Sequence, residues 1–203
     1  MYVIGITGGV GSGKSYAAHR LQEKLGATLL IADELGHVVM EPGRSAYCQI
    51  VEHFGQNIVS SDGSIDRAAL AEIVFSDARA RDWLNQVIHP AVIEYIRDTI
   101  HQNRTRSGIL LIETALMYET GCDSLCDEVW LVYVPEEERI RRLASDRGYS
   151  EQKSKSIIQS QIPETLLREK VQRIVPNDGT KEDLERALDA LLTTLDTTAL
   201  GKG

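Results

Sequence analysis

The sequence predicts an α/β protein with a parallel five-stranded sheet covered by helices on both faces, three layers in all, plus a helical insertion and a helical lid. Three observations carry this prediction. Short apolar runs alternate with helical patterns, the order that βαβ units impose. The first run leads into a glycine-rich loop and then a helix. The stretch 34–106, between the second and third apolar runs, is mostly helical in pattern and far longer than a crossover requires.

The elements follow in order. Strands are predicted over 3–7, 28–32, Ile109–Glu113, 129–134 and, weakly, 174–175. Helix 15–25 has Ala17, Ala18, Leu21 and Leu25 on one face. Pro42-Gly43 breaks the chain before a helix over 46–54. A helix over 67–75 aligns Leu70, Ile73 and Val74, and one over 80–88 aligns Trp83, Leu84 and Val87. Pro90 suits a first helical turn, so a separate helix is expected over 90–102. Charged helices are expected over 136–147 and 151–161, and a leucine-rich one over 181–195. The chain is therefore divided into a core (1–33, 107–138 and 170–203), an insertion (34–106) and a lid (139–169).

Composition excludes several classes. The net charge is −8 and the pI about 5.2, which argues against nonspecific binding to nucleic acid or membrane. No apolar run approaches the ~20 residues of a membrane span, and the N-terminus does not read as a signal peptide. A cytoplasmic protein is expected. Cys48, Cys122 and Cys126 are too few for a disulfide framework and read as ordinary thiols. The five histidines form no spaced metal pair.

The chemistry is concentrated at Gly8-Gly9-Val10-Gly11-Ser12-Gly13-Lys14-Ser15, which fits the phosphate-binding pattern G-x-x-x-x-G-K-[ST] between a strand and a helix. Glycines let backbone N–H groups turn toward phosphate oxygens, and the helix N-terminus adds its dipole. Lys14 can reach the β- and γ-phosphates, and Ser15 can ligate Mg²⁺. Two strands close on carboxylates, Asp33 and Glu113, at the edge where such sheets bind ligands. A carboxylate there can accept a hydroxyl proton or hold Mg²⁺ through water, and Asp33 equally suits a helix cap. The densest basic segment holds Arg139, Arg141, Arg142 and Arg147. Its arginines can close over phosphates from a lid or form a solvated face with Glu136, Glu137 and Glu138. Asp33-Glu34-Leu35-Gly36 matches a GTPase D-x-x-G, but it falls soon after the loop and no guanine-reading N-K-x-D follows.

These motifs, with Asp62-Gly63-Ser64-Ile65-Asp66-Arg67, Val74-Phe75, Ile88-His89-Pro90, Leu116 through Glu119, Gln161 and Asn177-Asp178-Gly179, resemble the dephospho-coenzyme A kinase family from the first strand to about Gly179. The resemblance implies ATP-dependent phosphorylation of the ribose 3′-hydroxyl of dephospho-CoA, the last step of coenzyme A synthesis, on a P-loop kinase core with Mg²⁺. It implies Asp33 as base, with Lys14 and Arg142 as its catalytic companions. Gly9, Val10, Gly11, Ser12, Gly13, Lys14, Ser15, Tyr16, Arg142, Arg147 and Asn177 would hold the nucleotide. Asp33, Arg67, His89, Glu113 and Leu116 would meet the acceptor, and Ser15 the metal. Another small-molecule kinase on the same core is the alternative. Three departures stand out: the family's D-A-D reads Ile31-Ala32-Asp33, its lid R-D order reads Asp146-Arg147, and Pro176 replaces an aspartate.

Overall fold

The computed structural model describes residues 1–105 and 107–195. In chain order the elements are β1 (Tyr2–Thr7), α1 (Lys14–Leu25), β2 (Thr28–Ile31), α2 (Ala32–Val38), α3 (Ser45–Phe54), α4 (Arg67–Ser76) and α5 (Ala78–Gln102). There follow β3 (Ile109–Glu113), β4 (Glu128–Tyr133), α6 (Glu136–Arg147), α7 (Glu151–Gln159), α8 (Glu164–Lys170), β5 (Arg173–Pro176) and α9 (Lys181–Thr193). Two compact units result: Met1–Ile31 with the chain from Asn103 onward, and Ala32–Gln102.

The first unit is built on the predicted parallel sheet, in the order β2-β3-β1-β4-β5. Its core joins Ile4, Ile6, Leu111, Trp130, Val132 and Val175 of the sheet to Ala17, Ala18 and Leu21 of α1 and Leu184 and Leu188 of α9. The small residues at 17 and 18 bring α1 close over β1. On its other face β1 leaves no room at Gly5, where a Cβ would lie 2.7 Å from Met117 Cε and 2.9 Å from Cys126 Sγ. Pro176 sits at the end of edge strand β5, where a missing N–H interrupts no central ladder. The pairing resumes at once, with Asn177 N–H donating to Tyr133 O at 2.9 Å. Among the described residues no helix is long and apolar enough to cross a membrane.

The second unit is helical, with Ile50, Ile58, Leu70, Leu84, Val92 and Ile96 buried. Most of the D-G-x-I-D-R motif has a structural use here. Asp62 Oδ1 accepts from the N–H and Oγ of Ser64, Gly63 takes a positive φ of 84°, Ile65 is buried, and Asp66 caps α4 by accepting from Ala68 and Ala69 N–H. Arg67, next in the chain, is exposed.

The elements differ from expectation at three places. Helix α5 runs unbroken through Pro90, where two helices were expected. Leu84, Ile88, Val92 and Ile96 form an i, i+4 stripe across the proline, and burying that stripe outweighs one lost helical hydrogen bond. Strand β2 stops at Ile31 and α2 starts at Ala32, so Asp33 lies in the first turn of a helix and not at a strand end. The helix expected over 151–161 ends at Gln159, and α8 follows a Pro163 N-cap, a short helix the sequence reading passed over.

Candidate active site

The first unit brings its chemistry to the carboxyl edge of the sheet. After β1 the chain turns through the glycine loop, with φ of 78° at both Gly11 and Gly13, a conformation that a side chain would strain. Inside the loop Ser12 N–H donates to Gly9 O at 3.1 Å. Lys14, Ser15 and Tyr16 open α1, so their N–H groups have no carbonyl one turn back within the helix. These donors at a helix N-terminus suit phosphate oxygens.

Glu113 arrives by strand parity. It pairs in register with Ile6 of β1, and residues 111 and 113 of β3 share the face that carries α1. Its side chain therefore meets the first turn of that helix. Glu113 Oε2 accepts from Ser15 Oγ at 3.1 Å, and Oε1 lies 3.6 Å from Lys14 Nζ. The carboxylate is 3% exposed. Just beyond, the Thr114 hydroxyl accepts from the Leu116 N–H at 3.1 Å, and the Leu116 side chain is exposed.

A second set closes on the loop from β5 and α6. Asn177 Nδ2 donates to Ser12 O at 2.7 Å, and Arg142 Nη2 donates to Asn177 O at 2.8 Å. Arg142 Nε also donates to Glu138 Oε1 at 3.1 Å, one helical turn back. A cavity of about 460 Å³ is lined by Gly11, Gly13, Lys14, Ser15, Tyr16, Arg142, Asp146, Arg147, Asn177 and Lys181, among others. Lys181 Nζ stands 5.5 Å from the Tyr16 ring centroid. The transposed pair Asp146-Arg147 thus puts both side chains at this cavity.

A third set joins Arg139 of the basic run to Gln161 of the resembling residues, a pairing the sequence did not suggest. Arg139, 7% exposed, donates from Nε to Val10 O at 2.8 Å and from Nη2 to Gln161 Oε1 at 2.8 Å. The same Gln161 oxygen accepts the Val10 N–H at 3.0 Å. Burial pulls the guanidinium below its ordinary pKa, and Glu164 and Glu136 partly restore it. The basic run 139–147 marked Arg139 as charged, but nothing local distinguished it from a solvated neighbour such as Arg141.

The structure therefore gathers Gly9 to Tyr16, Glu113, Arg142, Arg147 and Asn177 within one unit. Asp33, Arg67 and His89 belong to the second unit, with Asp33 and Arg67 exposed and His89 half-buried in mid-α5. Asp33 follows Ile31, which pairs in register with Glu113, by two residues.

The dephospho-CoA kinase family model matches residues 2–183. The chain belongs to the dephospho-CoA kinase family. A curated dephospho-CoA kinase of Carboxydothermus hydrogenoformans is 39% identical over 95% of this chain and 92% of its own length. The Thermus thermophilus protein TT1252, known from a crystal structure, is 33% identical with a TM-score of 0.73, covering 96% of this chain and 97% of that one. The dephospho-CoA kinase from Campylobacter jejuni shares the fold, with a TM-score of 0.74 at 22% identity and coverage of 97% and 98%. Membership makes this chain an ATP-binding kinase of the P-loop fold, as the sequence predicted.

Proposed function

We infer that this enzyme transfers the γ-phosphoryl group of ATP to the ribose 3′-hydroxyl of dephospho-CoA. The observation that carries the reading is the cavity on the glycine loop, where Lys14, Arg142 and Arg147 meet helix-opening N–H groups, within a chain that matches this family over nearly its whole length. That set suits a triphosphate in charge and in hydrogen-bonding capacity.

In the proposed reaction the acceptor oxygen forms a bond to Pγ as the bond from Pγ to the β–γ bridging oxygen breaks, and ADP leaves. Lys14 and the arginines disperse the charge that accumulates on the leaving and transferring oxygens. Asp33 accepts the hydroxyl proton. Arg67 and His89, on the second unit, would contact dephospho-CoA, with Glu113 and Leu116 on the acceptor side of the loop. Arg147 would stand in for the lid arginine that the family places one residue earlier. Segment 139–169 would act as the lid and 34–106 as the acceptor-holding insertion.

Mg²⁺ fits the donors present. Ser15 Oγ and a Glu113 oxygen lie 3.1 Å apart, both hard oxygens of the kind the ion prefers. Among the described residues no cluster of three or more His, Cys, Asp or Glu could cage a metal, in keeping with an ion held by one or two protein oxygens and by phosphates. Ser15 Oγ and the Glu113 carboxylate would hold the ion, which would supply charge neutralisation at the phosphates.

The test is a steady-state assay with ATP and dephospho-CoA that reads CoA formation directly, beside a panel of other hydroxyl acceptors. Selective turnover of dephospho-CoA is expected. A clear preference for an unrelated acceptor would replace this reading with that of a different kinase on the same core.

A further inference from the structure

The loop has a back as well as a front. Toward the 460 Å³ cavity it presents Gly11, Gly13, Lys14 and Ser15. Behind it, Gly8, Gly9 and Ser12 adjoin Arg139, Gln161, Tyr133 and Glu164. On this side a single amide oxygen, Gln161 Oε1, accepts two hydrogen bonds, from Val10 N–H and from Arg139 Nη2, while Arg139 Nε returns to Val10 O. Both backbone polar groups of Val10 are thereby fixed by side chains far away in sequence. Gly9 is packed so closely on the guanidinium that a Cβ there would collide with it.

The energetics of Arg139 are unusual for a merely structural group. It is a nearly buried cation, and among the described residues it forms no ion pair; its hydrogen bonds go to a carbonyl and an amide oxygen. Burying a charge with no direct ion pair costs stability, which the fields of Glu164 and Glu136 offset only in part, and apolar replacements of buried charged groups are often neutral or stabilising. A buried cation with no ion pair that fixes the turn of a phosphate loop is better explained by what the loop does.

We propose that Arg139 and Gln161 are positioning residues for phosphoryl transfer: they clamp the Gly9-Val10 corner, so that the N–H groups of Gly11 to Ser15 keep the geometry that triphosphate binding needs. The clamp rests on the ATP-kinase reading of the front of the loop. It also ties the 139–169 segment to the loop, since Arg139 lies in α6 and Gln161 between α7 and α8.

Three variants of the full-length enzyme test this. Gln161→Ala removes the shared acceptor, and Gln161→Glu keeps an acceptor oxygen in its place. Arg139→Met removes the buried charge while keeping bulk. Calorimetry with Mg·ATP reads affinity without any acceptor, and steady-state kinetics with dephospho-CoA separates kcat from the two KM values. In Gln161→Ala the Kd for Mg·ATP is expected to rise about tenfold and kcat to fall about ten- to hundredfold, with the KM for dephospho-CoA nearly constant. Gln161→Glu recovers most of both losses. Arg139→Met shows the same losses with a Tm equal to or above that of wild type, an outcome a structural role would not give.

A Gln161→Ala enzyme with ATP affinity and kcat within about twofold of wild type would overturn the proposal, as would a Gln161→Glu variant no better than alanine. Should Gln161→Ala fail to fold, Arg139→Met decides: a lower Tm with unchanged ATP affinity makes the clamp a packing feature and sinks the idea. A wild-type enzyme that ignores dephospho-CoA overturns the acceptor assignment instead, because the Mg·ATP affinities do not depend on it.

Discussion

Replacing Glu113 by glutamine changes one charge at a site where two loop residues converge, and its consequences can be worked from distances. The carboxylate lies 3.6 Å from Lys14 Nζ, and the two side chains are 4% and 17% exposed. At an effective dielectric constant of ~20 the attraction at that distance is about 4–5 kcal/mol before desolvation. Desolvating a nearly buried carboxylate takes back several kcal/mol. Glutamine also still offers an oxygen to Ser15 Oγ. The net effect on stability is therefore expected to stay within about 2 kcal/mol, a Tm shift of no more than roughly 8 °C for a chain of this size. Activity should respond more. The glutamine amide is a weaker partner for Mg²⁺ beside Ser15 and lets Lys14 move from its set position, so kcat is expected to fall about ten- to hundredfold. Differential scanning calorimetry and kcat titrated against Mg²⁺ are the assays. A variant with kcat within about twofold of wild type and the same Mg²⁺ dependence would show that Glu113 merely buttresses the loop.

Three further outcomes are expected. Asp33→Asn should bind Mg·ATP as wild type does in calorimetry while kcat falls about 10²–10⁴-fold; turnover near the wild-type rate would remove Asp33 from the role of base. Gly13→Ala forces a side chain into φ 78° with its Cβ 2.5 Å from Asn177 Nδ2, so about 1–2 kcal/mol of strain and a displaced Asn177 should lower Tm by roughly 2–8 °C and raise the KM for ATP. Hydrogen bonds from Arg20 and Lys24 of α1, reinforced by their charges, pull the pKa of Glu185 of α9 down to about 2. A carboxylate depressed in the fold stabilises above its unfolded pKa of ~4.3 and loses that contribution as pH falls toward 2, so Glu185→Gln should lower Tm near neutrality, flatten the Tm profile in that window and converge with wild type at its acid end.

How much of this was legible in sequence depends on how local each signal is. The glycine loop is local: two positive-φ glycines, a strand before and a helix after make Lys14 and Ser15 readable from one short stretch. Glu113 was readable as a strand end, and the parity of residues 111 and 113 gives the face it shares with α1. Arg142 was readable in the basic run, but Asn177 was reached through resemblance alone, because its contact to Ser12 spans 165 residues and no periodicity encodes it. Gln161 sat among the resembling residues with no role, and its partner Val10 is 151 residues away. The errors were local conflicts decided by packing. Pro90 is a good helix starter, yet a continuous apolar stripe carries α5 past it, and Asp33 looked like a strand terminus because Leu29, Leu30 and Ile31 run directly into it.

Three of the basic side chains around the loop, Lys14, Arg142 and Arg139, separate by the partners they keep. Lys14 stands near Glu113, and Arg142 pairs with Glu138, so each shares its charge with a carboxylate while lining the cavity. A triphosphate is a denser anion than either carboxylate, and rearranging such pairs toward it exchanges one favourable contact for another at small net cost. Arg139 differs. It donates hydrogen bonds to Val10 O and the Gln161 amide oxygen, and it lies on the other side of the loop. Moving it toward a phosphate would break the bonds that hold Val10. The two roles conflict in one side chain, so on the proposed reading Lys14 and Arg142, with Arg147, would engage the nucleotide, and Arg139 would keep the loop in the shape they require.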